Sequence, residues 1–317
     1  MSDPKNTYYF IVNPRAGSGK TMRKWLPAEK KLERDGIPFV TALTDHKRHA
    51  TQLAMKAARK GYRKIVSVGG DGSLHETFNG ICRWCEENGA SLSDFCLAVI
   101  PIGSGNDWIK SLGVPCDAMK ALELLCRGDT LQMDVIEAHC AEGRTAYMAN
   151  VGGVGFDSHV CRRVNIEKES GRRSRLIYLN SLIHTVFNTG AIDLAVVADG
   201  KTVFSGKCYS IGFGNGKYSG SGMMQVPRAV PDDGYLDFLI VPKLPLAVLV
   251  KEVRRFFTGT MDKCPYTITG RCKCLQVVPL GMNSTDIVEL DGEIIGRLPM
   301  SLEVTGEKID VIRGPEL

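Results

Sequence analysis

The sequence predicts an α/β protein with two domains. Residues 1–130 alternate between short apolar strand patterns and helical patterns, which is typical of a doubly wound parallel sheet. After about Leu131 short alternating strands take over, and turns such as Asp199–Gly200 and Asp233–Gly234 separate them. Residues 131–317 are therefore predicted to form a mostly antiparallel β-sandwich, whose last residues could return to the first domain. A chain of 317 residues is long enough for two such cores.

Four strand patterns and three helical patterns define the first domain. The strands are predicted at Tyr8–Val12, Pro38–Leu43, Ile65–Val68 and Cys96–Ile100. The helices are predicted at Met22–Asp35, from Thr44 and Asp45 to about Lys60, and from Ser73 to about Asn88. Thr44 and Asp45 have side chains suited to capping the second of these helices. Ser73 is followed three residues later by Glu76, which is the spacing of a capping box.

We predict eight strands and three helices in the second domain. The strands are predicted at Leu131–His139, Thr145–Val151, Asp193–Ala198, Thr202–Phe213, Leu236–Val241, Cys274–Val278, Asp286–Leu290 and Ser301–Val304. The helices are predicted at about Asp157–Glu169, Arg175–Phe187 and Pro245–Thr258.

The most informative stretch is Ile65–Glu76, where a buried-strand pattern leads through a glycine-rich turn into a helix. Gly69, Gly70 and Gly72 permit backbone angles and close approaches that a Cβ atom would block. A glycine turn at a helix N-terminus binds anions through backbone N–H groups and the helix dipole. Asp71 inside this turn would repel a bare phosphate, and therefore indicates a cation or a proton transfer at the same place. The alternative interpretation is a tight turn without a ligand.

Two further loops follow strands of the same predicted sheet. Asn13–Thr21 ends in Gly19-Lys20-Thr21, but Pro14 stands where a P-loop needs its first glycine, so we reject a P-loop there. Pro101–Trp108 follows the fourth strand and is rich in glycine, serine and asparagine. Ligands of open α/β sheets bind at the carboxyl ends of the strands. We therefore expect the three loops to converge on one nucleotide-binding crevice.

Composition and charge are those of an ordinary globular chain with a slightly basic balance. The net charge of +5 suits an anionic partner, such as a nucleotide phosphate or a membrane surface, but requires neither. Basic residues are not interleaved with aromatic ones, so we expect no nucleic-acid partner. The sequence has no run of 18 apolar residues and no signal-peptide core, and its eleven cysteines lack zinc spacing. We therefore expect a cytoplasmic protein with reduced thiols.

Five motifs occur in an order and at spacings that resemble one family. They are Asn13-Pro14 with Gly17 and Gly19, Gly69-Gly70-Asp71-Gly72-Ser73, Pro101–Asp107, Asn150–Asp157, and Asp291-Gly292-Glu293. Over nearly its whole length the chain resembles the diacylglycerol kinase catalytic-domain family, which includes bacterial soluble lipid kinases and sphingosine and ceramide kinases. The Gly-Gly-Asp-Gly element is also shared with NAD kinases. It therefore supports a nucleotide kinase fold more firmly than it supports a lipid substrate.

The resemblance implies an enzyme that uses ATP and Mg²⁺ to phosphorylate a lipid hydroxyl. Asp71 would engage the ATP-bound magnesium ion or assist the acceptor, and Glu293 would be the general base toward the hydroxyl. The residues implied in ATP binding are Asn13, Pro14, Gly17, Thr44, Gly69, Gly70, Asp71, Gly72, Ser73, Glu76, Gly103, Ser104, Asn106 and Asp107. We expect a magnesium-bound triphosphate between Asp71 and Glu293. Without the resemblance, Asp291-Gly292-Glu293 would be interpreted as a β-turn with a solvated acid.

The resemblance also implies a structural Mg²⁺ at the loop Val230–Tyr235. Asp233 would supply its side chain, and Val230 and Tyr235 would supply backbone carbonyls. Such hard oxygen ligands suit Mg²⁺ or Ca²⁺. The alternative is a plain hairpin turn at Asp232-Asp233-Gly234.

A kinase that acts on a lipid and has no anchor must reach a membrane, so we expect peripheral contact with the inner membrane face. Two groups of cations are candidates for this contact, each cation contributing about 1 kcal/mol near an anionic surface. They are Arg162, Arg163, Lys168, Arg172, Arg173 and Arg175, and the predicted helical face with Lys251, Arg254 and Arg255. The alternative for either group is a solvated surface.

Several alternatives remain open at this point. The lipid could be a diacylglycerol or a sphingoid-type lipid, and Ser104-Gly105 is closer to the sphingoid branch. A kinase of a soluble acceptor such as NAD and a non-catalytic nucleotide sensor are the other functions considered. The presence of both Asp71 and Glu293 speaks against the sensor. A homodimer is also left open.

Overall fold

The computed structural model describes residues 3–103, 105–169, 190–281 and 286–315. The chain forms two compact units, the first made of residues 1–135 with 307–317 and the second of residues 136–306. The sequence pattern predicts this boundary after residue 130. The strand Thr130–Cys140 runs through this region without interruption, which explains why no turn signal marks the boundary.

The first unit is built on parallel strands in the order β4-β3-β1-β2. Their bounds are β1 Tyr8–Val12, β2 Phe39–Leu43, β3 Lys64–Gly69 and β4 Cys96–Pro101. Tyr8 lies beside both Phe39 and Lys64, and Lys64 lies beside Cys96. β3 is buried from Ile65 onward, because helices cover both faces of such a sheet. The predicted parallel α/β architecture is confirmed.

Six helices connect or follow these strands. Their bounds are α1 Ala16–Gly19, α2 Thr21–Arg34, α3 His49–Arg59, α4 Asp71–Asn88, α5 Trp108–Ser111 and α6 Ala118–Arg127. α2 buries Trp25, Ala28 and Leu32, whose spacing of three or four residues forms one apolar stripe. α5 and α6 are not among the helices that the sequence pattern predicts. The carboxylate of Asp117 accepts hydrogen bonds from the N–H groups of Met119 and Lys120 and gives α6 a regular N-cap.

The capping box predicted at the start of α4 is wrong. The helix begins at Asp71 and its N-cap is Gly70, so Ser73 and Glu76 lie inside the helix. Gly70 has an extended backbone and no side chain, which lets the helix begin two residues earlier than the local pattern indicates.

The cap predicted for α3 is also wrong. The helix begins at His49 after Arg48, which has a left-handed backbone, and neither Thr44 nor Asp45 caps it. A carboxylate oxygen of Glu76 accepts a hydrogen bond from the Arg48 N–H at 2.9 Å. The cap therefore comes from another helix, which a local sequence pattern cannot reveal.

The second unit is a set of antiparallel strands. Their bounds are β5 Thr130–Cys140, β6 Thr145–Met148, β7 Val151–Gly155, β8 Ile192–Ala198, β9 Lys201–Gly214, β10 Tyr218–Ser219, β11 Met223–Met224, β12 Leu236–Pro242, β13 Ile268–Cys272, β14 Cys274–Pro279, β15 Ile287–Leu290, β16 Glu293–Arg297 and β17 Met300–Ile312. The main order is β16-β15-β7-β9-β8-β14-β17, and β12 pairs with β9 and β13. Leu194 and Val196 on β8 alternate with more exposed neighbours and enter the core. The predicted antiparallel sandwich is confirmed.

β17 is longer than predicted and ends in the first unit. Its last residues add a parallel strand there, with Asp310 opposite Cys96 of β4. The predicted strand ends at Val304, because Gly306 and the charged residues after it interrupt the apolar pattern.

Three helices belong to the second unit in the described residues: α7 Phe156–Glu169, α8 Leu246–Glu252 and α9 Arg255–Thr258. The single helix predicted at Pro245–Thr258 is therefore two short helices. The helix predicted at Arg175–Phe187 lies outside the described residues. Within the described parts of the chain, no helix is long and apolar enough to cross a bilayer.

Candidate functional site

Loops that follow β1, β3 and β4 meet at one edge of the first unit's sheet. The Asn13 N–H donates to the Val68 carbonyl at 2.9 Å and holds the first loop against the end of β3. The N–H groups of Ile102 and Gly103 both donate to the Gly69 carbonyl, at 2.7 and 3.0 Å. The convergence that the sequence predicts is therefore present.

Close backbone contacts explain why glycines stand in these loops. A Cβ atom on Gly103 would lie 2.5 Å from the Gly70 Cα and 2.6 Å from the Asn106 Oδ1. A Cβ atom on Gly17 would lie 2.3 Å from the Ile102 carbonyl oxygen, and Gly17 has a φ of 54°. The loops thus approach backbone to backbone, which brings main-chain polar groups to this edge of the sheet.

We expect Gly103→Ala to lower the free energy of unfolding by about 1–3 kcal/mol, because the new methyl group overlaps the Gly70 backbone. Thermal unfolding measures this effect. Gly190→Ala is the matched control, since no atom of the described residues lies within 4 Å of the position its Cβ would take. Equal unfolding midpoints for the two variants would show that the contact between the loops is not tight.

Asn13 fixes the loop after β1 with both ends of its amide. Its Nδ2 donates to the Ser73 Oγ at 2.9 Å, and its Oδ1 accepts a hydrogen bond from the Arg15 N–H at 3.0 Å. The second bond closes a turn around Pro14. Thr44 lies beside this loop, because its N–H donates to the Val12 carbonyl at 2.9 Å. Four of the residues implied in ATP binding are therefore neighbours at this edge, namely Asn13, Pro14, Thr44 and Ser73.

Asp71, the first residue of α4, is the acidic centre of the site. Its Oδ1 accepts hydrogen bonds from the N–H groups of Asp107 and Trp108, at 2.8 and 3.3 Å. Burial, followed by the neighbouring Asp107 carboxylate, raises the pKa of Asp71 from 3.8 to about 6. Part of the Asp71 surface stays exposed. The Asp71 carboxylate in such a setting favours a bound cation, and an oxygen ligand of this kind fits Mg²⁺.

The N-terminus of α4 favours an anion, whereas the Asp71 carboxylate favours a cation. An 18-residue helix carries a partial positive charge at its first turn, where Gly72 lies and where backbone N–H groups lack helical partners. A helix N-terminus of this kind binds phosphate groups. Together with Asp71, it fits a magnesium-bound polyphosphate better than a bare phosphate.

Lys110 belongs to the same group of residues and is not among the site residues predicted from the sequence. Its Nζ lies 2.5 Å from the Asp107 Oδ1. Lys110 lies on α5, a one-turn helix too short to show a period, so no sequence signal placed it beside Asp107. Asn106 shapes the loop before it with a φ of 51° and a hydrogen bond from its Nδ2 to the Gly103 carbonyl at 2.9 Å. Ser104 lies outside the described residues.

The side chain of Glu76 has a structural use in this unit. Its two oxygens accept hydrogen bonds from the N–H groups of Arg48 and Ala50, at 2.9 and 3.2 Å. Its implied part in ATP binding stays a prediction, and the observed hydrogen bonds favour a role in capping α3.

In the second unit, Asp291 organises the turn that leads into Glu293. Asp291 is buried, and its carboxylate accepts hydrogen bonds from the N–H groups of Ala149 and Asn150, at 3.0 and 2.8 Å. Its φ of 52° and the φ of 88° at Gly292 form a left-handed turn between β15 and β16. Glu293 is the first residue of β16 and is partly exposed. The Asp-Gly pair indicates the turn, but nothing in the sequence indicates that Asp291 is buried.

The Asp233 loop differs from what a divalent-cation site requires. The Asp233 Oδ1 accepts a hydrogen bond from the Tyr235 N–H at 3.1 Å, and its Oδ2 pairs with the Arg271 Nη2 at 2.8 Å. The Arg271 guanidinium also lies over the Tyr235 ring, 5.2 Å from its centre. Both carboxylate oxygens thus have donors, and a cation already lies beside them. The residues as placed do not fit the implied metal ion, and the ligands Asp233, Val230 and Tyr235 stay a prediction.

This ion pair predicts that the Asp233 loop needs no divalent metal. Without nucleotide, the midpoint of thermal unfolding should be the same in EDTA and in millimolar MgCl₂. Arg271→Met leaves Asp233 without its cation, and its midpoint should rise when Mg²⁺ is added. Lys273→Met is the matched control, because it removes another cation near the Tyr235 ring and keeps the ion pair. A midpoint of the unaltered protein that depends on magnesium would contradict the prediction.

The fold and this edge of the sheet define the class as an α/β protein with an anion-binding helix N-terminus beside a buried acid. Residues 7–138 match the family described as "Diacylglycerol kinase catalytic domain", and residues 150–313 match the "YegS C-terminal NAD kinase beta sandwich-like domain". The chain belongs to the diacylglycerol kinase catalytic-domain family, with a sandwich domain of the YegS type after the catalytic domain. It is therefore a member of a kinase family.

Individual relatives agree with this assignment. Two curated proteins named diacylglycerol kinase, from Staphylococcus aureus strains bovine RF122 / ET3-1 and MRSA252, are 28% identical over 302 residues, covering 95% of this chain and 90% of theirs. A solved structure from Bacillus anthracis str. Sterne has a TM-score of 0.75 at 22% identity and covers 98% of both chains. A diacylglycerol kinase structure from the same strain has a TM-score of 0.70 at 20% identity, covering 98% of this chain and 97% of its own. The two structures support the fold.

Proposed function

We propose that this protein transfers the γ-phosphoryl group of ATP to the hydroxyl group of a lipid, a diacylglycerol or a sphingoid-type lipid, at a membrane surface. The observation that carries the proposal is the position of Asp71. Its carboxylate lies at the N-terminus of α4, where loops from β1 and β4 bring their backbones together. Phosphates suit the helix end, and the carboxylate requires a cation with them. The name of the curated relatives, diacylglycerol kinase, supports a lipid acceptor.

Phosphoryl transfer requires a protein mainly to position the reactants and to neutralise charge. Different residues of this chain would have these roles. The backbones of Gly70, Gly72 and Gly103 position the phosphates, and Asn13 holds the loop that borders them. Asp71 would hold Mg²⁺, which neutralises charge on the phosphates when bound, and Asp107 lies beside it in an ion pair with Lys110. Glu293 accepts the proton of the lipid hydroxyl as its oxygen attacks the γ-phosphorus, and ADP leaves.

Two other functions remain as competitors. A kinase of NAD is favoured by one observation, the description of the matched sandwich family as NAD kinase-like. A non-catalytic nucleotide sensor would keep Asp71 and would not need the partly exposed acid Glu293. We propose the lipid acceptor, with the protein in the cytoplasm and in peripheral contact with the inner membrane face. A homodimer stays a prediction.

Labelled ATP separates these functions. The protein is incubated with [γ-³²P]ATP, Mg²⁺ and mixed micelles that contain a diacylglycerol, sphingosine or ceramide, and separately with NAD in place of lipid. The proposal predicts label in one of the lipids. Label in NADP would establish the soluble acceptor, and nucleotide binding without any labelled product would establish the sensor.

A further inference from the structure

One surface of the second unit combines exposed apolar side chains with exposed cations. It lies on α8 and α9, and we call it the α8–α9 face. It is formed by residues at helical spacing along one side of this segment, namely Ala247, Val250, Lys251, Arg254 and Phe257. The side chains of Val250 and Phe257 are 50% and 52% exposed, which is unusual for a phenylalanine in a globular protein.

The opposite side of the same segment is anchored in the protein. Leu249 and Phe256 are each 8% exposed and pack in a cluster with Met223, Leu239 and Met261. The exposure of Phe257 is therefore not a sign of a loosely held helix. Its neighbour Phe256 already fills the core position, so Phe257 remains on the surface.

The charged residues of α8 and α9 also differ between the two sides of the segment, with the acid on the inner side and the exposed cations on the outer side. Glu252 is buried. Its carboxylate forms an ion pair with the Arg255 guanidinium and lies 3.9 Å from the Cys264 thiol. Lys251 and Arg254 are exposed, and neither forms an ion pair with an acid in the described residues. The α8–α9 face is thus cationic and apolar, and the one acid of its helices lies on the inner side.

We propose that the α8–α9 face docks on an anionic lipid bilayer, with Val250 and Phe257 entering the interface and Lys251 and Arg254 contacting lipid phosphates. The proposal rests on the proposed lipid kinase function and adds the surface through which the enzyme reaches its substrate. Charge complementarity supports an anionic bilayer, since apolar side chains beside cations are the composition of a helix that lies in a membrane interface. A second copy of this chain would place like charges against each other and is less suited to this face.

Vesicle sedimentation tests the proposal without depending on catalysis. The full chain is mixed with vesicles of phosphatidylcholine alone or with 30% phosphatidylglycerol (about one anionic lipid in three), and the bound fraction gives the partition coefficient. The protein should prefer the anionic vesicles. Lys251→Gln with Arg254→Gln should weaken binding about 25-fold, from about five-fold for each cation. Phe257→Ser should weaken vesicle binding about ten-fold, because the variant lacks the ring that would enter the bilayer interface.

The controls come from another exposed surface of the same unit. Lys201→Gln with Val203→Ser changes an exposed cation and an exposed apolar residue on β9, and should bind as the unaltered protein does. The binding of the unaltered protein should also fall in 0.5 M NaCl, because salt screens the cations, while the cation variant should respond less. Circular dichroism melts establish that each variant is folded.

The outcomes separate the docking face from the proposed reaction. Vesicle binding that is unchanged in both α8–α9 variants, or equal binding to neutral vesicles, would overturn the docking face even if lipid is phosphorylated. A protein that binds vesicles through this face and labels no lipid would instead overturn the proposed reaction. A dimer in solution that Phe257→Ser dissociates would assign the face to a second copy of the chain and would also overturn the proposal.

Discussion

Asp71→Asn should stabilise the protein at pH 7.5 and remove most of its phosphoryl transfer. Burial and the Asp107 carboxylate raise the pKa of Asp71 to about 6, so its charged form is disfavoured in the folded state. A pKa raised from 3.8 to about 6 corresponds to roughly 3 kcal/mol of stability lost on ionisation. Asparagine keeps the Oδ1 acceptor for the Asp107 and Trp108 N–H groups. We therefore expect its unfolding midpoint to lie a few degrees higher.

The difference in unfolding free energy between Asp71→Asn and the unaltered protein should depend on pH in a definite direction. A group whose pKa is raised by folding stabilises the protein below its unfolded pKa and loses that contribution as the pH rises through the folded value. The stabilisation that protonated Asp71 gives to the folded state is thus present below about pH 4 and is lost as the pH rises past about 6. The stability gap between the Asp71→Asn variant and the unaltered protein should be wide at pH 7.5 and should narrow toward pH 4. Chemical denaturation at both pH values measures it.

The catalytic loss in the same variant should be on the order of 10²–10³-fold, because a carboxylate ligand to magnesium contributes several kcal/mol of charge stabilisation. Mg²⁺–ATP should also stabilise this variant less than it stabilises the unaltered protein. Asp71→Ala is the control that separates charge from hydrogen bonding. It removes the acceptor as well, and should lose activity without the gain in stability. An Asp71→Asn variant with near-normal turnover would exclude Asp71 from the reaction.

Glu293→Gln should lower kcat by about 10²–10⁴-fold, which is the usual contribution of a general base. The change should leave the Michaelis constant for ATP nearly unaltered, because Glu293 is assigned to the acceptor and the nucleotide residues lie in the first unit. It should also leave the fold intact, since Asp291 is the residue that holds this turn through Ala149 and Asn150. Steady-state rates with varied ATP and varied lipid measure both constants.

Glu303→Gln is the matched control for this prediction. Glu303 is an exposed acid of β17, and the loss of its charge should change neither kcat nor stability. A kcat for Glu293→Gln within a few-fold of the control would remove Glu293 from the reaction. A lowered unfolding midpoint in Glu293→Gln would assign the residue to the turn instead.

The sequence predicts the fold because its signals are local. Apolar runs such as Ile65–Val68 mark buried strands, and alternation such as Ile192–Ala198 marks strands with one buried face. The glycines at the strand ends predict the meeting of the loops, because a parallel sheet places carboxyl ends at one edge. Asp71 stands out in the sequence for a chemical reason, since a carboxylate is unexpected in a phosphate-binding turn.

The features that the sequence does not predict depend on residues far apart in the chain. Glu76 caps α3 from a distance of 28 residues, so the local spacing with Ser73 was misleading. Arg271 reaches Asp233 across 38 residues and changes a loop that resembles a metal site into an ion pair. Asp291 bonds to backbone groups that lie 141 and 142 residues away. Tertiary contacts of this kind decide how a polar side chain is used, and a single sequence contains no signal for them.

The central claim is that magnesium-bound ATP occupies the edge of the parallel sheet at Asp71. A crystal structure with Mn²⁺ and a non-hydrolysable ATP analogue tests it most directly, because the anomalous signal locates the metal independently of the nucleotide. We predict a manganese peak at about 2.0–2.2 Å from a carboxylate oxygen of Asp71, with the phosphates against Gly70 and Gly103. The ligand atoms of Asp45, His46 and His49 lie within 4.8 Å of one another and form another possible metal position. A peak found only there, or only at the Asp233 loop, would contradict the account.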